Sequence, residues 1–234
     1  MISFVLPVYN CYDKVLMELP ELISKLQVLN IDYEIIIVDD GSKFKADIRP
    51  YGNRYCKLLI NKKNYGKGYS VKRGIMAASG NDIIFMDGDF PFDLEIIERL
   101  VDKLQKPNVD IVIGDRTLQE SSYAEATSLR MAGSKIISFI LSRFVTQGYR
   151  DTQCGIKAFK KVVAKDIFSK TKINGFSFDI EVLFIAIKRK YRIEKINVKV
   201  GNQLSSNVKV IFHGTQMLLN IFRIQLNNIL GLYK

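Results

Sequence analysis

One histidine, His213, and three cysteines, Cys11, Cys56 and Cys154, are all that this chain of 234 residues offers a soft or borderline metal. A single imidazole excludes a multi-histidine metal centre. The cysteines are scattered, odd in number and without metal-ligand spacing, which points to reduced thiols in a cytosolic setting. No uninterrupted apolar run reaches the roughly 18–20 residues needed to span a bilayer. A strand-like run begins at Ile2, with no basic segment or cleavage site around it, so no secretory leader is expected. Low-complexity stretches and internal repeats are missing as well.

What is present is ample apolar content, 47%, and a formal charge of +11. The length suits one large domain, or one domain with an appendage. The charge is compatible with nucleic acid, an anionic membrane surface or a phosphorylated substrate as partner, and equally with a generally lysine-rich proteome.

Along the chain, Ile2–Val8, Tyr33–Val38, Cys56–Ile60, Ile83–Met86 and Asp110–Gly114 read as strands. Between them, Tyr12–Leu29, Tyr69–Ser79 and Asp93–Gln105 carry helical apolar spacing. Pro20 should break or kink the first helix, and Gly80 is placed to cap the end of the second. A short helix or loop is expected from Ser42 to about Arg54, and Asn61–Gly68 (NKKNYGKG) reads as a polar loop. This alternation predicts βαβ units and a parallel sheet. The strands are apolar throughout, so the sheet should be covered on both faces.

Beyond residue 115, Ser121–Gln147 reads as a long helix. Asp151–Lys160 reads as a loop entering a strand, Val162–Ser169 and Phe176–Lys188 as helices, and Tyr191–Val200 as an edge strand. Gly214–Leu230 closes the chain as an amphipathic helix. Its expected polar face is Gln216, Asn220, Arg223 and Asn227, and its expected apolar face is Leu218, Ile221, Phe222, Leu226 and Ile229.

Four strand exits bear polar signatures: Pro7-Val8-Tyr9-Asn10, Asp39-Asp40-Gly41-Ser42, Asp87-Gly88-Asp89 and Gly114-Asp115-Arg116. In a parallel sheet all exits face one edge, where open α/β sheets bind ligands. Turn residues are ordinary at strand ends, and Asp-Gly is good turn chemistry. Paired acids at two exits ask for more. Asp87 and Asp89 are hard oxygen ligands suited to Mg²⁺ or Mn²⁺, ions that share their shell with substrate phosphates.

These pieces carry a resemblance. FVLPVYN, EIIIVDDGS, NYGKGYSVKRGI and FMDGDF resemble family 2 glycosyltransferases of the GT-A fold. That fold is an α/β, Rossmann-like architecture with a mostly parallel central sheet flanked by helices. GDR at Gly114–Arg116, RDTQCGIKAF at Arg150–Phe159 and FSFDIEVLFIA at Phe176–Ala186 are similar to the polyprenyl-phosphate sugar transferases, and especially to the dolichyl-phosphate β-glucosyltransferases. The likeness covers about residues 1–200. It implies a glycosyltransferase domain over 1–210, with a nucleotide-binding half (1–115) and an acceptor half (116–210). A C-terminal helix over 211–234 would face a membrane or another subunit.

The resemblance also implies roles. Pro7, Tyr9, Asn10, Asp39, Asp40 and Lys67 would hold the nucleotide, with Asp87, Gly88 and Arg130 on the donor. Asp87 and Asp89 would bind the metal. Arg116, Asp151 and Asp179 would serve the reaction. Asp179 and Glu181 lie two apart on one helix and do not share a face, so one of them is expected in the cleft. The donor would be a nucleotide sugar, UDP-glucose or a relative, reacting by single displacement with inversion.

The acceptor decides what the carboxylates must do. A sugar hydroxyl needs a general base. A phosphomonoester, with a second pKa of roughly 6, is already ionised and needs cations and alignment instead. A polyprenyl phosphate is expected, with a glycan hydroxyl as the alternative and a non-catalytic basic binding module as a third reading. Basic runs such as Lys188–Arg192 beside amphipathic helices suit the inner face of a membrane, so a cytoplasmic, peripheral enzyme is expected. Nucleic acid is disfavoured, because acids in the cleft repel a phosphate backbone. An oligomer is compatible with the sequence.

Overall fold

The all-apolar strands do form a sheet covered on both faces. The computed structural model describes residues 1–43, 55–118, 145–146, 148–149, 151–198 and 210–234, with side chains in the last stretch from 216 onward. In chain order the elements are β1 (Ile2–Val8), α1 (Tyr12–Val28), β2 (Tyr33–Asp39), β3 (Cys56–Ile60), α2 (Lys67–Ala77), β4 (Asp82–Met86), α3 (Ile96–Leu104), β5 (Ile111–Asp115), β6 (Ile156–Lys160), α4 (Lys161–Lys170), α5 (Phe178–Lys188), β7 (Ile193–Asn197) and α6 (Val210–Ile229). A single 3₁₀ turn, Arg116–Leu118, follows β5. The segment 44–54 and nearly all of the helix expected over Ser121–Gln147, Arg130 included, lie outside the described residues.

The sheet order is β3-β2-β1-β4-β6-β5-β7. Every neighbouring pair is parallel except those of β6, which is antiparallel to both β4 and β5. The start of β6 therefore lies level with the exits of its neighbours. The edge position expected for the strand near Tyr191–Val200 is confirmed, because β7 closes the sheet. Helices α1 and α3 pack on one face around Phe4, Leu6, Ile35, Ile37 and Ile84. Helices α2, α4, α5 and α6 pack on the other around Val5, Ile36, Val38, Phe85 and Phe159. This is a GT-A architecture.

Three expectations need correction. Helix α1 runs unbroken through Pro20. Its buried stripe, Tyr12, Val15, Leu19, Leu22 and Leu26, continues on both sides of the proline, and packing of that stripe outweighs one missing backbone donor. Gly80 is no helix cap, since α2 ends at Ala77 and Ala78 is already extended. A Cβ on Gly80 would come within 2.7 Å of the Ser3 backbone nitrogen, so glycine is there for close approach to β1.

The third correction concerns α6, which is turned relative to expectation. Asn220 and Asn227, from its expected polar face, are buried. Asn220 donates to Ser177 Oγ at 3.0 Å, and Asn227 donates to the Tyr233 hydroxyl at 3.2 Å. Tyr233, fully buried, donates in turn to Glu181 Oε1 at 2.5 Å. Of the expected apolar face, Ile221 is buried, while Phe222 and Ile229 are 71% and 80% exposed. The buried amides face polar partners at Ser177, just before α5, and at Tyr233, which accounts for the rotation.

At the opposite edge of the sheet from the strand exits, Glu34 ties three elements together. It accepts from Ser3 Oγ (2.6 Å), Lys57 Nζ (2.8 Å) and the Ser79 backbone (2.5 Å). Burial alone would push its pKa up, but these bonds hold it down at about 2. A carboxyl depressed in the fold stabilises above its unfolded pKa, and that contribution is lost as pH falls through the folded one. Glu34→Gln is therefore expected to cost about 2 kcal/mol at neutral pH. The gap to wild type should close between roughly pH 4.3 and pH 2 in urea titrations.

Candidate active site

Strands β1, β2 and β4 deliver three turns to one edge. The Asp39 carboxyl is fully buried at the end of β2. Its Oδ1 accepts from the Ser42 backbone at 2.9 Å. The Tyr12 hydroxyl is buried within reach of Asp39, and its pKa is pushed up by burial and then by that carboxylate. Asp39 thus offers a fixed acceptor at the end of β2.

Asp40 is spent on structure. It accepts from Asn61 Nδ2 (2.8 Å), the Tyr65 backbone (3.0 Å) and the Gly66 backbone (2.8 Å), and so holds the loop before α2. Asn10, at φ 53°, receives the Lys43 backbone on Oδ1 at 3.0 Å, while its own N–H donates to Ser42 Oγ at 2.9 Å. Tyr9, beside it, is exposed. Pro7 is half-buried, and a Cβ on Gly88 would sit 2.6 Å from its carbonyl oxygen, so the β1 and β4 turns touch through that glycine.

Asp87 stands at the exit of β4. The Lys67 ammonium lies 2.7 Å from Asp87 Oδ1 and engages that oxygen as an ion pair. Gly155, just before β6, donates no side chain, and a Cβ there would overlap the Asp87 carboxylate. Asp89, half-buried two residues on, has its pKa raised by burial and then by Asp87. Among the described residues no group of three or more His, Cys, Asp or Glu side chains could hold a metal. Two carboxylates close enough to act on each other fit a hard cation that completes its shell with phosphate oxygens and water.

The remaining expected residues form two ion pairs. Arg116 donates to Asp151 from Nη2 to Oδ1 (2.7 Å) and from Nε to Oδ2 (2.8 Å), and the Arg116 backbone adds a third bond at 2.8 Å. Asp179 is buried and receives Lys157 Nζ at 2.6 Å. Burial raises the Asp179 pKa, opposed chiefly by Lys157 and then Lys67. Glu181 turns away and accepts from the Lys172 and Ile173 backbones at 2.9 and 2.8 Å. The structure therefore brings Asp87, Asp89, Lys67 and Asp179 into one cluster and sets Arg116 with Asp151 beside it. Arg130 lies outside the described residues.

Lys157 and Gly155 escaped the sequence reading. A lysine inside the apolar strand IKAFK was the available signal, since a buried ammonium demands a buried acid. The thiols are free, and burial pushes Cys154 up to about 12 and Cys56 to about 11, so neither is a nucleophile.

Comparison with known proteins accords with this geometry. Residues 3–168 match the family described as glycosyl transferase family 2, and the chain belongs to it. It is similar to dolichyl-phosphate beta-glucosyltransferases. The Dictyostelium discoideum protein is 30% identical over all of this chain and 76% of its own length. The Homo sapiens protein is 30% identical over all of this chain and 77% of its own. Among solved structures, glucosyl-3-phosphoglycerate synthase from Mycobacterium tuberculosis, in complex with Mn²⁺, UDP and glucosyl-3-phosphoglycerate, superposes with a TM-score of 0.69. It is 17% identical, and the match covers 96% of this chain and 79% of that one.

Removing one partner of a buried ion pair strands the other. Lys157→Met is expected to destabilise the protein by about 3–5 kcal/mol in urea unfolding. The double change Lys157→Met with Asp179→Leu should recover most of that loss.

Proposed function

We propose that the protein transfers a hexose, glucose from UDP-glucose being favoured, to a polyprenyl phosphate with inversion at the anomeric carbon. The observation that carries this reading is that both candidate bases are already engaged by cations, Asp151 by Arg116 and Asp179 by Lys157. A hydroxyl acceptor needs an available base. An ionised phosphate acceptor needs an oriented cation, and Asp151, by taking the Nε and Nη2 donors, fixes the plane of the Arg116 guanidinium. The names of the curated relatives accord with a lipid-phosphate acceptor.

In this reading Asp39 Oδ2 accepts from the uracil N3–H or a ribose hydroxyl. The Pro7–Asn10 turn walls the nucleotide, Asp40 shapes the glycine loop, and Gly88 lets the donor approach β4. Arg130, which lies outside the described residues, would serve the donor phosphates as the family resemblance implies. Asp87 and Asp89 hold Mg²⁺ or Mn²⁺, which when bound neutralises the departing nucleoside diphosphate. Asp87 is kept in position by Gly155, and Arg116 aligns the attacking phosphate oxygen behind the anomeric carbon.

Purified protein with UDP-glucose, Mn²⁺ and a short polyprenyl phosphate in micelles should form a β-linked lipid phosphoglucose. Asp87→Asn is expected to lose at least about 3 kcal/mol of transition-state stabilisation, roughly 100-fold in rate. Gly155→Ala should lose a comparable amount without changing any charge. Asp151→Asn should fall less and act mainly on the acceptor KM. No transfer to any phosphate acceptor, with transfer to a sugar hydroxyl, would select the glycan-acceptor reading instead.

The outward face of α6 supports peripheral membrane attachment. Leu219, Phe222, Ile229 and Leu230 are 65%, 71%, 80% and 63% exposed, with Arg223 and Lys234 exposed nearby. No helix among the described residues is long and apolar enough to cross a membrane. An amphipathic helix with flanking cations suits the interface where a lipid phosphate lies. The protein should float with anionic vesicles, and Phe222→Ser with Ile229→Ser should leave it in the soluble fraction without lowering its Tm. Wild-type protein that stays unbound would remove the membrane from the reading.

A further inference from the structure

Lys67 occupies an unusual position for a lysine. Its backbone opens α2 behind Gly66, at φ 103°, and its side chain is 19% exposed. Its ammonium lies 2.7 Å from Asp87 Oδ1, with the rings of Phe85 and Phe176 at 5.6 and 5.8 Å from Nζ to their centroids. Asp179, Lys157 and Asp89 complete the surroundings. Three carboxylates, Asp87, Asp89 and Asp179, face the ammoniums of Lys67 and Lys157, and Lys14 also acts on Asp89, so the acids are already largely compensated without a metal. Burial works against the Lys67 charge, but Asp87 first and Asp179 next hold its pKa above the ordinary value.

A divalent cation bound alone would add two positive charges beside ammoniums that already offset the acids, next to the Phe85 and Phe176 rings. It would also press directly on the ammonium sharing Asp87 Oδ1. Like charges brought together in a poorly solvated site disfavour binding. A diphosphate arriving with the cation removes the conflict, because it offers oxygens to both. Lys157 cannot move aside in the same way, being locked between Asp179 Oδ1 at 2.6 Å and the Cys154 carbonyl at 2.8 Å. Lys67 has no second hydrogen-bonding partner of that kind among the described residues, and a lysine stem is long and flexible.

We propose that Lys67 is a displaceable counter-ion. It neutralises Asp87 in the ligand-free protein and yields that oxygen to the divalent cation only when a diphosphate is present to receive the ammonium. Metal affinity is thereby made conditional on the nucleotide, and the site resists filling with metal alone. This rests on the reading of the edge as a nucleotide-sugar site.

The test is Mn²⁺ binding followed by the EPR signal of the free aquo ion, with the full chain and UDP as the probe. Wild type should bind Mn²⁺ alone weakly, and saturating UDP should tighten it at least about 100-fold. In Lys67→Met, Mn²⁺ alone should bind at least about tenfold tighter than in wild type, and the gain from UDP should shrink by at least the same factor. Lys67→Gln, closer in polarity, should behave as Lys67→Met does, and decides the matter if the methionine variant does not fold. Lys67→Arg should keep the wild-type coupling. Unchanged or weaker binding of Mn²⁺ alone in both neutral variants overturns the inference. If UDP binds wild type neither with nor without Mn²⁺, the nucleotide-sugar reading itself fails instead.

Discussion

The ion pair between Lys157 and Asp179 is what the working edge of this protein depends on. Both groups are buried, one on β6 and one on α5, and each would be costly without the other. The pair fixes the start of α5 against β6, the strand beside β4. The same kind of pairing recurs with Lys67 and Asp87 and with Arg116 and Asp151, the cations growing more exposed from Lys157 to Lys67 to Arg116. In each pair the two charges come from elements distant in sequence. The rim is thus assembled by charge compensation on a frame that hydrophobic burial has already built.

That arrangement separates acids which look alike in the sequence. Asp39 and Asp40 are neighbours, yet one meets only the Ser42 backbone and the Tyr12 hydroxyl while the other is consumed by three donors. Asp179 and Glu181 are two residues apart. The first joins the charged cluster, and the second carries the 172–173 backbone and the C-terminal tyrosine. Engagement of both Asp151 and Asp179 by cations is what tilts the chemistry toward an acceptor that arrives already ionised.

Much of the frame was legible beforehand. The bounds of β1 and β3 and the acids at the β2 and β4 exits follow from short apolar runs ending in turn residues, signals that are local. What escaped was non-local. The direction of β6 is invisible in DTQCGIKAF, because strand direction is set by neighbours and not by pattern. Gly155 reads as a turn residue until the Asp87 carboxylate is seen against it. The rotation of α6 was misjudged because amide side chains on a helix normally face water, and here Asn220 and Asn227 pay for burial with bonds to Ser177 and Tyr233. Pro20 misled for a related reason, since propensity yields to a continuous buried stripe.

The reversed strand carries one more implication. Because β6 inserts between β4 and β5, chain from beyond residue 150 completes the middle of a sheet whose other central strands come from before residue 116. A cut after β5 would leave β4 with a bare inner margin and β5 with no neighbour on that side. The chain before residue 116 and the chain beyond residue 150 are therefore not separable modules. Grafting a new second half onto this first half would have to carry β6 with it, so tolerated exchange is confined to loops and helix faces that leave that strand in place.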